Sequence, residues 1–278
     1  VSMTYIRLDQ ILALKEIRDA VKALDPEIPL IVGGAALHYN LTHYPEFIEL
    51  VLDLCDYIVF APCGVRTLTE LLGRLRAGRD VAQIPNLIFR RRGKTVHTPA
   101  APEGGTLNDV VVDWRKVAGK YRGGIKGIAA SQGCPFGCRF CTFRENRLTY
   151  KNLDVLRAEL RSIKDLGDDD RIYFVDDLFT FPEKRLLTVL QMMLAEKFNF
   201  RWFCLCRSSG LRRETIALMA EAGCRCVCMG MESADPDVLR NIDKRIDLAQ
   251  THRQLENFRD HNIRSVSSFI VGFPGETD

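Results

Sequence analysis

Residues 131 to 143 read SQGCPFGCRFCTF and place Cys134, Cys138 and Cys141 at spacings of four and three on one short loop. Three thiols suit neither of the usual arrangements. A closed structural metal site takes four ligands, commonly as two CxxC-like pairs, and only Cys138 and Cys141 make such a pair here. Disulfides need even numbers and an oxidising compartment. A thioredoxin-like dithiol would use Cys138-Arg139-Phe140-Cys141 and leave Cys134 without a task. An iron–sulfur cube held by three thiolates uses all three and leaves one iron open to another ligand. Gly133, Pro135 and Gly137 give the loop the bends that wrapping such a group requires.

Other groups fall at the ends of apolar runs. "FVDDLFT" (174–180) carries Asp176 and Asp177, "FRWFCLC" (200–206) is followed by Arg207, "GMES" (230–233) carries Gly230, Glu232 and Ser233, and "FIVGFPGET" (269–277) carries Gly272 and Pro274. Apolar runs alternate with amphipathic stretches, the pattern of βα units on a parallel sheet, where chemistry gathers at the C-terminal ends of strands.

This combination resembles the radical S-adenosylmethionine superfamily, in its branch associated with cobalamin-binding domains. The resemblance implies a 4Fe–4S cluster on Cys134, Cys138 and Cys141, with S-adenosylmethionine chelating the open iron. It also implies reductive cleavage to a 5′-deoxyadenosyl radical. Phe140, directly before the last cysteine, matches the aromatic that packs near the adenine. Asp176 and Asp177 match an acidic pair offered to the methionine amine, and Arg207 an arginine near the ligand carboxylate. Gly230, Glu232 and Ser233 match a fourth-strand motif for methionine or ribose polar groups, and Gly272 and Pro274 a fifth-strand motif lining the adenine. The implied fold is α/β, a partial (α/β)6 TIM-like barrel with five strands present.

The elements that would position these groups are strands at 125–131, 171–177, 200–206, 224–232 and 265–272. Helices are expected at 151–166, 183–197, 211–222 and within 236–262. Ahead of them lie strands at 1–5, 29–34 and 56–61, helices at 8–24, 44–53 and 67–78, and a hairpin over 84–98. This first region resembles the C-terminal half of a flavodoxin-like cobalamin-binding domain. Ser2 and Thr4 match its hydroxyl motif and Gly33-Gly34 its glycine pair, whereas its acidic GEGE-like motif is replaced by "APCGVRTL" (61–68). The resemblance implies cobalamin as a cofactor of the full-length protein. The expected domains are 1–98 and 123–278, joined by a turn-rich linker, 99–122. The chain starts inside a strand-like run and stops after "GFPGETD", which reads as a fragment lacking the first strands of one domain and the sixth unit of the other.

Period-two alternation puts Cys224, Cys226 and Cys228 on one strand face with Gly230 and Glu232, inside the barrel. Cys204 and Cys206, out of phase with Arg207, are expected on the helix side, so the two groups should not meet.

Composition sets the bounds. The chain has 278 residues, 46% hydrophobic and 27% charged, with a net charge of +3. That is ordinary globular composition, with no strongly basic face for nucleic acid and no apolar run of the ~18 residues a bilayer span needs. Ten cysteines without a secretory leader point to a reducing, cytoplasmic setting. The expected partners are a small-molecule or peptide substrate and a reductant such as flavodoxin or ferredoxin, and methyl transfer is one expected outcome. A zinc-stabilised α/β binding protein and a methylthiotransferase relative are the alternatives.

Overall fold

The computed structural model describes residues 2–3, 11–109, 111–116, 124–141, 147–167 and 171–276. The chain divides into two compact units, Val1–Gly104 and Gly105–Asp278.

The first unit is a five-stranded sheet in the order β1 (Ser2–Met3), β2 (Ile31–Gly33), β3 (Tyr57–Val59), β4 (Leu87–Arg91) and β5 (Lys94–His97). The first three strands are parallel and the hairpin β4–β5 is antiparallel. Alternation along the strands separates two cores. Val32, Ile58 and Ile88 face α1 (Ile11–Leu24), α2 (Ala35–His43) and α3 (Ile48–Leu52), whereas Ile31, Val59 and Leu87 pack with Leu71 of α4 (Val65–Arg76). The helix α2 lies before the 44–53 helix read from the sequence. Its buried residues are only Leu37 and Leu41, too few for a clear apolar stripe. Residues 99–104 lie against this unit: Asn86 Nδ2 donates to Ala101 O (2.8 Å), and Glu103 accepts from the Arg66 amide (3.0 Å).

The second unit is an all-parallel sheet in the order β6 (Lys126–Ile128), β9 (Arg171–Phe174), β10 (Arg201–Cys206), β11 (Cys224–Glu232) and β12 (Arg264–Phe269). A two-stranded ladder, β7 (Ser131–Gln132) with β8 (Thr149–Tyr150), stands beside it. The helices α5 (Leu153–Lys164), α6 (Glu183–Ala195), α7 (Arg213–Glu221), α8 (Pro236–Asn241) and α9 (Leu248–Asp260) follow in chain order. One sheet face buries Ile172, Phe174, Trp202, Val227 and Met229 against Leu160, Leu190, Ile216 and Phe258 of the helices. Trp202 is fully buried and its indole N–H donates to Ala222 O (2.8 Å), so the ring brings no unpaired polar group into the core. The other face, with Tyr173, Phe203, Leu205, Cys226 and Cys228, is only partly covered. This is the α/β partial barrel that the sequence implies.

Several boundaries move. The expected strand 125–131 breaks after Ile128, because the Ala130 amide is taken by the Asp176 carboxylate and its carbonyl by the Lys151 amide. The expected strand 171–177 ends at Phe174 and 265–272 at Phe269. The 236–262 stretch is two helices, parted where Asp243 and Arg245 adopt positive φ. In the 105–116 segment, the Val112 amide donates to Glu159 (3.3 Å) and the Trp114 amide to Ser162 (3.3 Å).

The cysteine faces also need correction. The register slips between Trp202 and Phe203, so Cys224 pairs beside Trp202 while Cys226 pairs beside Phe203. Cys224 therefore turns into the helix-side core with Cys204 and Cys206, all three buried, and only Cys226 and Cys228 stay on the inner face. Among the described residues no helix is long and apolar enough to cross a membrane.

Candidate active site

At the C-terminal ends of the parallel strands lies a cavity of about 280 Å³. Cys134, Cys138 and Cys141 form one side of it, and Asp177, Arg207, Glu232 and Lys244 supply its charges. Each strand contributes at its end because short βα loops place polar groups there without disturbing the core.

The cysteine loop begins at β7, with Gly133 in the left-handed region (φ 87). Its interior is fixed by backbone bonds: the Cys141 amide donates to Cys138 O (3.0 Å), and the Arg139 amide to Ile242 O (2.9 Å) at the end of α8. Burial pushes the Cys134 thiol above its ordinary range. The three cysteines line a cavity rather than one point; among the described residues no three His, Cys, Asp or Glu side chains are grouped to hold a single metal ion. That spacing, with three soft thiol donors and an adjoining hollow, fits a polynuclear iron–sulfur group with one open position. Phe140 stands beside them, its ring 5.8 Å from that of Phe273 and 5.6 Å from Lys244 Nζ.

The acidic pair divides. Asp177 lines the cavity and accepts from the Gly133 amide (2.8 Å). Asp176 points the other way and is 1% exposed, accepting from the Ala130 amide (3.0 Å) and Ser131 Oγ (2.5 Å). Burial raises its carboxyl to about 6. The structure thus does not bring Asp176 to the cavity where a ligand amine would lie.

Arg207 does line the cavity, with its guanidinium carbon 3.7 Å from the centroid of the Phe136 ring. Its Nη2 donates to Lys244 O (2.7 Å) and Arg245 O (2.6 Å). Burial lowers its pKa from the ordinary arginine range. Arg207 thus holds the α8–α9 connection over the cavity.

That connection delivers Lys244, which the sequence reading missed. Lys244 Nζ lies 3.1 Å from Glu232 Oε1, and both side chains are largely buried. Glu232 has φ 65 at a register shift in β11, which turns its side chain inward. An added Cβ at Gly230 would stand 2.1 Å from Glu232 Oε1 and 2.9 Å from Lys244 Nζ, so the glycine leaves room for the pair. The nearest sequence signal for Lys244 is the Asp243-Lys244-Arg245 charge run between two helices, which has no distinctive spacing.

The remaining expectations are not assembled here. Ser233 is buried, and its hydroxyl accepts from the Asp235 amide (3.1 Å) beside α8. The cap of that helix is the Asp235 carboxylate. Gly272 (φ 93) donates its amide to Glu276 (2.5 Å), and Pro274 lies in the same turn; neither lines the cavity. In the first unit, Gly33 ends β2, where a Cβ would meet Val59 Cβ and O at 3.1 Å, and Gly34 (φ 107) opens α2. The missing side chain at Gly33 serves strand packing. Ser2 lies in β1, and Thr4 lies outside the described residues.

The profile of the Radical SAM superfamily matches residues 128–278, more than half of the chain. The chain belongs to this superfamily. It is 26% identical over 266 residues to an uncharacterised methyltransferase of Pyrococcus horikoshii, covering 92% of this chain and 56% of that one. It is 30% identical over 158 residues to bacteriochlorophyllide d C-12(1)-methyltransferase of Chlorobaculum tepidum, covering 54% and 34%. Among solved structures, the radical S-adenosylmethionine methyltransferase TsrM from Kitasatospora setae, with cobalamin and a [4Fe-4S] cluster bound, superposes with a TM-score of 0.77 at 22% identity. That match covers 100% of this chain and 58% of that chain, and at this identity the likeness shows the fold. The chain spans about a third to just over half the length of the curated relatives it matches.

Proposed function

We propose that this chain carries the cluster-binding and cofactor-binding part of a radical S-adenosylmethionine enzyme. The observation that carries the reading is the single cavity shared by Cys134, Cys138 and Cys141 with Asp177, Arg207, Glu232 and Lys244. Cys134, Cys138 and Cys141 hold a [4Fe–4S] cluster, and the amino-acid end of S-adenosylmethionine lies in the adjoining hollow. When bound, this pair supplies one-electron cleavage of the sulfonium and a 5′-deoxyadenosyl radical. Glu232 and Lys244 present opposite charges to the ammonium and carboxylate of the cofactor, and Phe140 offers a ring to the adenine. Asp177 fixes Gly133 and with it the first cysteine. Arg207 keeps the Ile242–Asp247 connection in place as a cover against water.

The relatives named as methyltransferases support methyl transfer as the outcome, and cobalamin bound to TsrM supports cobalamin as the methyl carrier of the whole protein. Gly33 and Gly34 are accounted for by packing and helix initiation, so no step is assigned through cobalamin here. The substrate is a small molecule or a peptide, and a flavodoxin or ferredoxin supplies the electron. The cytoplasm, kept reducing, is the compartment in which such a cluster persists.

Anaerobic reconstitution tests this. The protein should take up about four iron and four sulfide and release 5′-deoxyadenosine from S-adenosylmethionine under reduction. Cys134→Ala, Cys138→Ala and Cys141→Ala should each abolish both. A cluster retained in the triple variant would overturn the reading.

A further inference from the structure

We propose that Asp176 and Asp177 form a two-pronged clasp that sets the geometry of the cysteine loop, with Asp176 acting as a positioning residue that does not meet the cofactor. The proposal rests on the cluster assignment for its consequence, and on the hydrogen bonds of the loop base for its mechanics.

The loop leaves and re-enters the barrel through the two-residue ladder, where Ser131 pairs with Tyr150 and Gln132 with Thr149. So short a ladder cannot fix its own orientation. The two aspartates supply what it lacks. Asp176 takes the Ala130 amide on one oxygen and the Ser131 hydroxyl on the other, and Asp177 takes the Gly133 amide. Adjacent residues at a strand end point to opposite sides, so the pair grips the loop from its buried and its cavity side at once. The returning chain is held in step: the Lys151 amide donates to Ala130 O (2.9 Å), and Arg185 Nη2 donates to Lys151 O (2.5 Å). Cys134 follows Gly133 directly, so the clasp fixes where the first thiol points.

A cofactor-binding role for Asp176 does not fit this geometry. Both of its oxygens are occupied, and the hollow it borders, with Ser131, Tyr150 and Arg185, is about 10 Å³. That is at most the room for one water. A carboxylate suits the clasp because it accepts from the Ala130 amide and the Ser131 hydroxyl at once; an asparagine can still accept the Ala130 amide and donate to Ser131 Oγ, so releasing the grip takes a side chain with no acceptor.

The test uses the reconstituted protein and its apo form. Asp176→Ala, which removes both acceptors, should leave the far-ultraviolet spectrum and the melting cooperativity intact. It should bind less than half the iron of the parent and shift the electron paramagnetic resonance g values of the reduced cluster. Ser131→Ala, which removes one donor and keeps the carboxylate, should fall between the two and decides the matter if Asp176→Ala does not fold. In the apo protein, hydrogen exchange at Ala130 should accelerate at least tenfold in Asp176→Ala, and at Gly133 in Asp177→Ala. Full iron with unshifted g values in Asp176→Ala, or unchanged exchange at Ala130, overturns the clasp. A parent protein that takes up no cluster would instead defeat the functional reading, and the exchange measurement still judges the clasp.

Discussion

Lys244 and Glu232 form an ion pair, 3.1 Å from Nζ to Oε1, across the cavity wall that faces the three loop cysteines. The two residues come from different elements; Lys244 is held in place by its own amide bond to Leu239 O (3.0 Å) and by Arg207, which holds the carbonyls of Lys244 and Arg245. Removing one partner leaves the other buried and uncompensated. Lys244→Met should weaken S-adenosylmethionine binding by about tenfold or more, the value of a charge-assisted contact, and Glu232→Gln should do likewise. Equilibrium binding to the reconstituted protein measures it. Gly230→Ala should give the same direction of change by pushing both charged ends aside; unaltered affinity in all three would show that the pair does not meet the ligand.

The chemistry-bearing loop was legible because its spacing is local: Cys134, Cys138 and Cys141 need no tertiary knowledge to be read together. The alternation of βα units was legible for the same reason. What was hidden depends on register and on long-range hydrogen bonds. One slipped residue beside Trp202 sends Cys224 into the core with Cys204 and Cys206, and strict alternation cannot foresee a bulge. Asp176 and Asp177 read as one site in sequence, although period two already assigns neighbours to opposite sides. Lys244 gave no signal, since its role comes from the fold of the α8–α9 connection rather than from a motif.

The burial of the other cysteines fixes how they react. Burial raises Cys55 and Cys206 to about 12, and Cys204 and Cys224 well above the ordinary thiol range, so the nucleophilic thiolate is scarce at each. Cys63 is exposed. Brief alkylation of the apo protein at pH 8, read by peptide mass spectrometry, should label Cys63 first. Cys204, Cys206 and Cys224 should be labelled only after denaturation. Early labelling of Cys224 would place it on the inner strand face.

Lys151 and Glu159 make a buried ion pair beside the loop base, 2.5 Å apart and each nearly inaccessible. Glu159 also accepts from the Val112 amide. Glu159→Gln should therefore cost about 3–5 kcal/mol in urea unfolding, as expected for an unpaired buried charge. Replacing both, Lys151→Met with Glu159→Leu, should cost less than Glu159→Gln alone. The reverse order would mean that the pair stabilises by its attraction rather than by avoiding an orphaned charge.

Asp176 gives the fold a defined pH dependence. Burial is the largest influence and raises its carboxyl from 3.8 to about 6, against the lowering effect of Ser131 and Ala130. Arg185, Tyr173 and Cys204 are the titratable groups that sense its charge. With the folded value above the unfolded one, the folded state binds the proton more tightly, so stability falls as pH rises from about 4 to about 6 and is flat beyond. A shift of about two units corresponds to no more than roughly 3 kcal/mol. Urea unfolding of the apo protein between pH 4 and 7, compared with Asp176→Asn to cancel the other carboxylates, isolates this contribution. The parent should lose stability relative to the variant as pH rises through this window, with the difference constant above pH 7; parallel profiles would show that folding does not raise the pKa of this carboxyl.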